Sequence, residues 1–208
     1  MKRPRPLVAL LRVQAAGEAA GASPAVLDWL LAAADAPPLP DAVAEVEADF
    51  LLDNDPRAIP ALVALLRRLL TAMALCDDRD CLRAAIALEE AIHNAVCHGN
   101  LEVSSELRNG DGSAYRELID RRRREVPFCE RRVHVRARVS HGEAVWVVRD
   151  EGPGFDPAAL PDPTVPPQLE QPSGRGLLLI RSFMDEVRHN PAGNEITMVK
   201  RRTRTLAA

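Results

Sequence analysis

Glu90 and Asn94 stand four residues apart in the run ALEEAIHNAVCHG at 87–99. On a helix that spacing places them one turn apart on a single stripe. A carboxylate there can take a proton from an attacking hydroxyl, and general-base help of this kind is worth roughly 10²–10⁴ in rate. A neutral amide oxygen one turn further on suits a magnesium ion already held by phosphates. Two other segments complete a set: DEGPGFD at 150–156 and SGRGLLLI at 173–180. Asp150, at a strand end, offers acceptors to an exocyclic amine such as adenine N6. Gly152 and Gly154 remove side chains so that a flat ring can approach the backbone. Gly174 and Gly176 precede a helix, whose free N–H groups bind phosphate oxygens with help from the dipole. Each segment has a plainer reading by itself. Glu90 and Asn94 make an ordinary polar pair, and Asp150-Glu151-Gly152 makes a turn. Their joint order and spacing favour one nucleotide site.

The combination resembles the GHKL superfamily, with its Bergerat-type ATP-binding fold. The 87–99 run is similar to the N-box, DEGPGFD to the G1 box and SGRGLLLI to the G2 box. Within the superfamily the chain resembles bacterial anti-sigma factor serine/threonine kinases. Their N-box reads E-A-x-x-N-A-x-x-H-G, matched by Glu90, Ala91, Asn94, Ala95, His98 and Gly99. The G-R-G-L-x-L-I form of the last box, followed by M-D-E-V at 184–187, fits the same branch. ATP-binding domains attached to bacterial response regulators are also similar. The resemblance spans residues 46–202.

The resemblance implies ATP and Mg²⁺ as cofactors. Glu90 would be the general base, Asn94 the magnesium ligand through the ATP phosphates, and Asp150 the adenine reader. Gly152 and Gly154 would line the adenine pocket, and Gly174, Arg175 and Gly176 would contact the triphosphate. His98 and Leu177 join the nucleotide-binding set. The implied activity is transfer of the ATP γ-phosphate to a serine or threonine of a small anti-sigma factor antagonist. Many members bind a sigma factor when that antagonist is absent. A response regulator is a further partner class, and a homodimer is compatible. Residues 155–173 would be an ATP lid, stiffened by six prolines (157, 161, 163, 166, 167, 172), with a plain Pro-rich connector as the other reading. Two other functions stay open: an ATP-responsive binding module that sequesters a partner without phosphorylating it, and a histidine-kinase-like ATPase domain acting in trans. No histidine precedes His93 and no H-box helix is evident, so a self-contained sensor kinase is not expected. The chain departs from the pattern at Leu178, where many histidine kinases carry a second Gly-x-Gly. The connection after Gly99 is also longer than a minimal kinase requires.

The elements that must position these residues follow from periodicity. A strand is expected at 48–53, a helix from 59 to 75 and a second helix from 78 to 98 ended by Gly99. On that second helix, Ala84, Ala85, Leu88, Ala91, Ile92, Ala95 and Val96 form one face; Glu90, Asn94 and Cys97 form the other. A third helix is expected at 113–126, closed by four arginines at 121–124. Cations are favoured there, and a partner or nucleotide patch is the alternative reading. VHVRARVS (133–140) and AVWVVR (144–149) read as a hairpin, a helix follows from 176 to 187, and EITMVKR (195–201) is a last strand. The expected fold is α+β: a two-layer sandwich of Bergerat type, with a mixed, mostly antiparallel sheet and helices on one face. Residues 1–44, rich in Ala and Pro, read as an appendage with a short helix near Ser23. Residues 45–203 form the ATP-binding domain and 204–208 a tail.

Composition narrows the field. The 208 residues are 47% hydrophobic and 27% charged, enough for a real core. Net charge is -3 and aromatics total 3%, so neither a global polybasic surface nor a base-stacking platform is present, and nucleic acid is not expected as a partner. There are 25 Arg but only two Lys, Lys2 and Lys200. Neither Lys stands in a Walker A loop, and the strand lysine and HRD loop of eukaryotic-type kinases are missing. Cys76, Cys81, Cys97 and Cys129 form no CxxC pair and read as reduced thiols of a cytoplasmic protein. His93 and Cys97 share a zinc-compatible spacing without a second pair. His134, His141 and His189 read as surface residues. No apolar run reaches a membrane span, and Arg12 and Gln14 interrupt the apolar run at 7–11 too early for a signal peptide.

Overall fold

The sheet owes its register to alternation. In VHVRARVS the valines and Ala137 are buried while His134, Arg136 and Arg138 face outward, so a one-residue slip would invert both faces. The computed structural model describes residues 8–15, 43–108, 112–159 and 175–202. Among these, six strands form one sheet: β1 (Val8–Ala15), β2 (Val43–Leu52), β3 (Val133–Ser140), β4 (Glu143–Arg149), β5 (Glu186–His189) and β6 (Glu195–Arg201), in the order β1-β2-β3-β4-β6-β5. The helices are α1 (Ile59–Ala72), α2 (Asp78–Asn94), α3 (Ser113–Arg122) and α4 (Arg175–Phe183). The architecture is the expected α+β sandwich.

The core forms where the inner sheet face meets α1 and α2. Phe50, Val135, Trp146 and Met198 from the strands close on Leu62, Leu66, Leu69, Leu88 and Ile92 from the helices. α2 packs against both α1 and α4, so it occupies the middle of the helical layer.

Three sequence expectations change. The sheet is antiparallel at every pairing among the described residues, rather than mixed. The expected helix at 176–187 stops at Phe183 and the chain reverses into β5, which makes a hairpin with β6. That added reversal turns an apparent parallel crossover into an antiparallel neighbour. Residues 1–44, read as an appendage, supply β1, which pairs with β2 along its length; the sheet therefore begins before the boundary drawn at 44. The short helix expected near Ser23 lies outside the described residues.

The connection from α2 to β3 is braced by the arginines that close α3. Arg122 Nη1 donates to the carbonyls of Leu101 (2.5 Å) and Glu102 (2.6 Å). Arg123 pairs with the buried Asp55 at 2.8 Å. These two are structural ties, whereas among the described residues Arg121 makes a long exposed pair with Glu125 (3.6 Å), a contact of little stability. His141, read as a surface residue, bridges two carbonyls, Met73 (2.9 Å) and Val43 (3.1 Å), and so joins the end of α1 to β2. At the start of α2 the free thiols of Cys76 and Cys81 approach to 2.7 Å, and burial pushes the Cys76 thiol up.

Candidate active site

α2 is a helix for local reasons before tertiary ones. Asp77 caps it, accepting the Asp80 N–H at 2.8 Å. Asp78 and Asp80 lie in the first turn, where the dipole favours acids. At Asn94 the helix widens into a π-helical turn, Ala95–Asn100, a feature often found at functional sites. Gly99 therefore does not cap the helix, as the sequence suggested. Glycine is needed there because a Cβ would lie 2.3 Å from Asp150 Cγ. Cys97, placed by spacing on the Glu90 face, is buried because the wide turn rotates it inward.

The turn delivers its residues to the end of β4. A Cβ on Gly152 would lie 2.2 Å from the Gly99 carbonyl oxygen, so the two segments meet backbone to backbone. Asp150 sits in that contact, only 8% exposed. Its N–H donates to the Asn194 carbonyl (3.0 Å) and its own carbonyl accepts from Asn194 Nδ2 (3.2 Å). Oδ1 accepts the Gly152 N–H at 2.8 Å. Burial pushes the Asp150 carboxyl up, against the hydrogen bond from Gly152 and the charge of Arg131. The neighbouring Glu151 is engaged elsewhere: Oε2 accepts the Arg132 N–H (2.9 Å) and Oε1 meets His134 Nε2 (2.9 Å). Of the two acids, Asp150 is the one left to a ligand.

A cavity of ≈ 200 Å³ opens beside it. Of the residues singled out by sequence, Asn94, His98, Asp150, Gly154 and Leu177 line it. His98 is oriented by Nδ1 donating to the Val103 carbonyl. Gly154 has φ +74, and a Cβ there would strike the Ala192 carbonyl oxygen at 1.9 Å. Gly152 and Gly154 thus lack side chains because protein backbone approaches them, whereas the sequence assigned that approach to a ring. Gly193 (φ +72) interlocks with Phe155 in the same way.

Glu90, Gly152 and Gly176 are not on the cavity wall itself. Glu90 is half-buried one turn before Asn94, and a Cβ on Gly176 would lie 2.0 Å from its Oε1. Gly176 belongs to the first turn of α4, where backbone N–H groups have no helical partner. Leu177, next along, packs against the core and lines the cavity. Arg175 is the first residue of α4; Gly174 and residues 160–173 of the lid expected at 155–173 lie outside the described residues.

Over residues 52–200 the chain matches the model of the histidine kinase-like ATPase domain. The chain belongs to that family. No curated protein matches it. The matched span starts at the last residue of β2, so β1 and the rest of β2 precede it. A histidine kinase-like ATPase domain must hold a nucleotide, and the residues present fit one. The Asp150 carboxylate lies on the wall of an apolar-walled cavity, the neutral amide of Asn94 lies on the same wall, and the first turn of α4 adjoins through Gly176 and Leu177. Asn94 is the neutral oxygen donor suited to magnesium brought in by phosphates. No cluster of three or more metal-ligating side chains occurs among the described residues. No helix among them is long and apolar enough to cross a membrane.

The ATPase site also contains residues that the motifs did not disclose. His189, read as a surface residue, lines the cavity with its ring 5.5 Å from that of Phe155 at 72°. Burial, and then the charge of Arg181, pushes its imidazole down, which favours the neutral ring. Asn194 locks the Asp150 backbone as described. The turn composition at 190–194 was the only signal for it.

Proposed function

We propose that the protein is an ATP-dependent serine/threonine protein kinase of the anti-sigma type, acting on a small antagonist protein. What carries this reading is the carboxylate of Glu90 packed against Gly176 at the start of α4, one turn from Asn94 on the cavity wall. In this reading Asp150 Oδ2 accepts the adenine amine, and the first N–H groups of α4 meet the phosphates. Magnesium, when bound, supplies charge neutralisation on those phosphates, with Asn94 as its protein ligand. Glu90 takes the proton of the acceptor hydroxyl as its oxygen attacks the γ-phosphorus, and the bond to the β–γ bridging oxygen breaks to release ADP. The phospho-acceptor is a serine or threonine of an anti-sigma factor antagonist. A sigma factor or a response regulator is the alternative partner, and a homodimer is compatible with this chemistry.

The family description favours a second reading, phosphorylation of histidine in trans. The two differ in the bond formed. An acid-stable phosphoester on the acceptor is expected, and an acid-labile phosphoramidate would replace the serine/threonine reading. Glu90→Gln is expected to bind ATP normally and to lose about 10²-fold or more in transfer. Full transfer by that variant would remove Glu90 from the mechanism. ATP binding with no phosphorylated acceptor would point to a sequestering module.

A further inference from the structure

We propose that Asn100 is a positioning residue for base recognition, acting on Asp150 through the backbone of Glu151; the inference rests on the nucleotide reading above. Asn100 is fully buried at the end of the wide turn that follows α2. Both ends of its amide are engaged. Nδ2 donates to Asn54 Oδ1 at 2.7 Å, and Oδ1 accepts the Glu151 N–H at 2.8 Å. Asn54 is itself fixed, its Nδ2 donating to the carbonyls of Phe128 (2.7 Å) and Arg131 (3.1 Å). The Asn100 carbonyl accepts from Arg131 Nη1 at 2.8 Å. A chain of amides therefore runs from the loop before β3, through the turn, to the peptide that follows Asp150.

This strap matters because of what surrounds it. The other contacts between the turn and the 150–152 loop are bare: Gly99 against Asp150 and Gly152 against the Gly99 carbonyl. Such contacts exclude a side chain but do not orient the loop. A directional hydrogen bond does. Asp150 has Oδ1 tied to the Gly152 N–H, so the aim of Oδ2 follows the peptides at 150–152, and Glu151 N–H is the middle one. Recognition groups must be held to within roughly 0.5 Å. A neutral amide is the side chain that supplies one donor and one acceptor without placing a second charge beside Asp150.

The chemical consequence is discrimination between 6-amino and 6-oxo purines. A carboxylate oxygen accepts from an amine and opposes a carbonyl. The test is calorimetry of the full chain with ATP, inosine triphosphate and base-free tripolyphosphate. Asn100→Ala is expected to lose about tenfold in ATP affinity. Inosine triphosphate should lose less and tripolyphosphate should be unchanged, so the ATP-to-inosine ratio shrinks. Asn100→Asp keeps the size and the acceptor, and at pH 8 it should hold that ratio within about twofold of wild type while melting lower. A folded Asn100→Ala chain with an unchanged ratio, or with an equal loss for tripolyphosphate, overturns the proposal. If Asn100→Ala does not fold, Asn100→Asp decides: a kept ratio supports the acceptor role and a collapsed ratio overturns it. Wild-type protein that binds none of the three would instead overturn the nucleotide reading itself.

Discussion

Gly176 lies so close to Glu90 that a Cβ on it would fall 2.0 Å from Oε1 and 2.6 Å from Cδ of the carboxylate. The first turn of α4 and the acid on α2 therefore meet with only a hydrogen atom between them. A carboxylate is favoured at a helix start by the dipole, and phosphate is favoured there for the same reason. The base and the phosphate-binding end of the helix thus share one location, set by the packing of α4 on α2.

Gly176→Ala should therefore act on chemistry more than on folding. The obstructing atoms all belong to the Glu90 side chain, from Oε1 at 2.0 Å back to Cγ at 2.8 Å, and a half-buried side chain can change rotamer where a backbone cannot. The melting temperature is expected to stay within a few degrees of wild type while phosphotransfer falls about tenfold or more. Gly152→Ala is the contrast, because its Cβ would meet the Gly99 backbone carbonyl at 2.2 Å, which cannot swing. That variant should lose about 2–4 kcal/mol of stability. Urea unfolding of both, beside a transfer assay, checks the pair; equal stability losses would contradict the distinction.

Asp150 sets binding against stability. Burial makes the folded chain hold the Asp150 proton more tightly than the unfolded chain does. Stability from this group therefore declines as pH rises from the unfolded carboxylate value through the raised folded one, and the cost persists at neutral pH. Asp150→Asn removes the buried charge. Its melting temperature at pH 7.5 should equal or exceed that of wild type, while ATP affinity falls about tenfold or more, since an amide N–H would oppose the adenine amine. In wild type, ATP affinity should weaken as pH is lowered through the raised range, because a protonated carboxyl donates where it must accept. Calorimetric titrations across pH 4–8 would expose a flat profile, which this account does not allow.

Most of the fold was legible because it rests on periodicity. β3 and β4 alternate between buried and outward positions, β6 is rich in β-branched residues, and α1 and α2 repeat apolar residues at helical spacing. β5 was not, because Glu186–His189 is four residues without clean alternation, adjoining a helix of apolar character. β1 was hidden by an Ala- and Pro-rich context that says nothing of the edge it pairs with. At the site, motif spacing found Asp150 and Asn94, which line the cavity, and Glu90, which packs beside it. It missed Asn100, His189 and Asn194, since each acts through partners tens of residues away, and misjudged Cys97 because a widened turn breaks the 3.6-residue repeat.

Asp55 gives a prediction that depends on the fold alone. Its carboxyl is held down at about 2, chiefly by the side-chain hydrogen bond from Arg57, against burial and with help from the Arg57 N–H and the Arg123 charge. Asp55 also caps the short turn Pro56–Ala58 that leads into α1, while Arg123 ties it to the end of α3. A depressed carboxyl contributes stability that is fully present above the unfolded value and is lost as pH falls through the folded one. Asn at this position can still cap the turn but cannot pair with two guanidinium groups. Asp55→Asn should therefore be less stable than wild type by about 1–2 kcal/mol near neutral pH, a figure already reduced for the solvent-exposed side of the cluster. The gap should begin to close below pH ~5 and be gone only below pH ~2, once the folded carboxyl is itself protonated. Parallel urea titrations from pH 7 downward test this directly. A gap that does not change with pH would mean that Asp55 acts only as a cap, and that its two arginines add nothing to the stability of the fold.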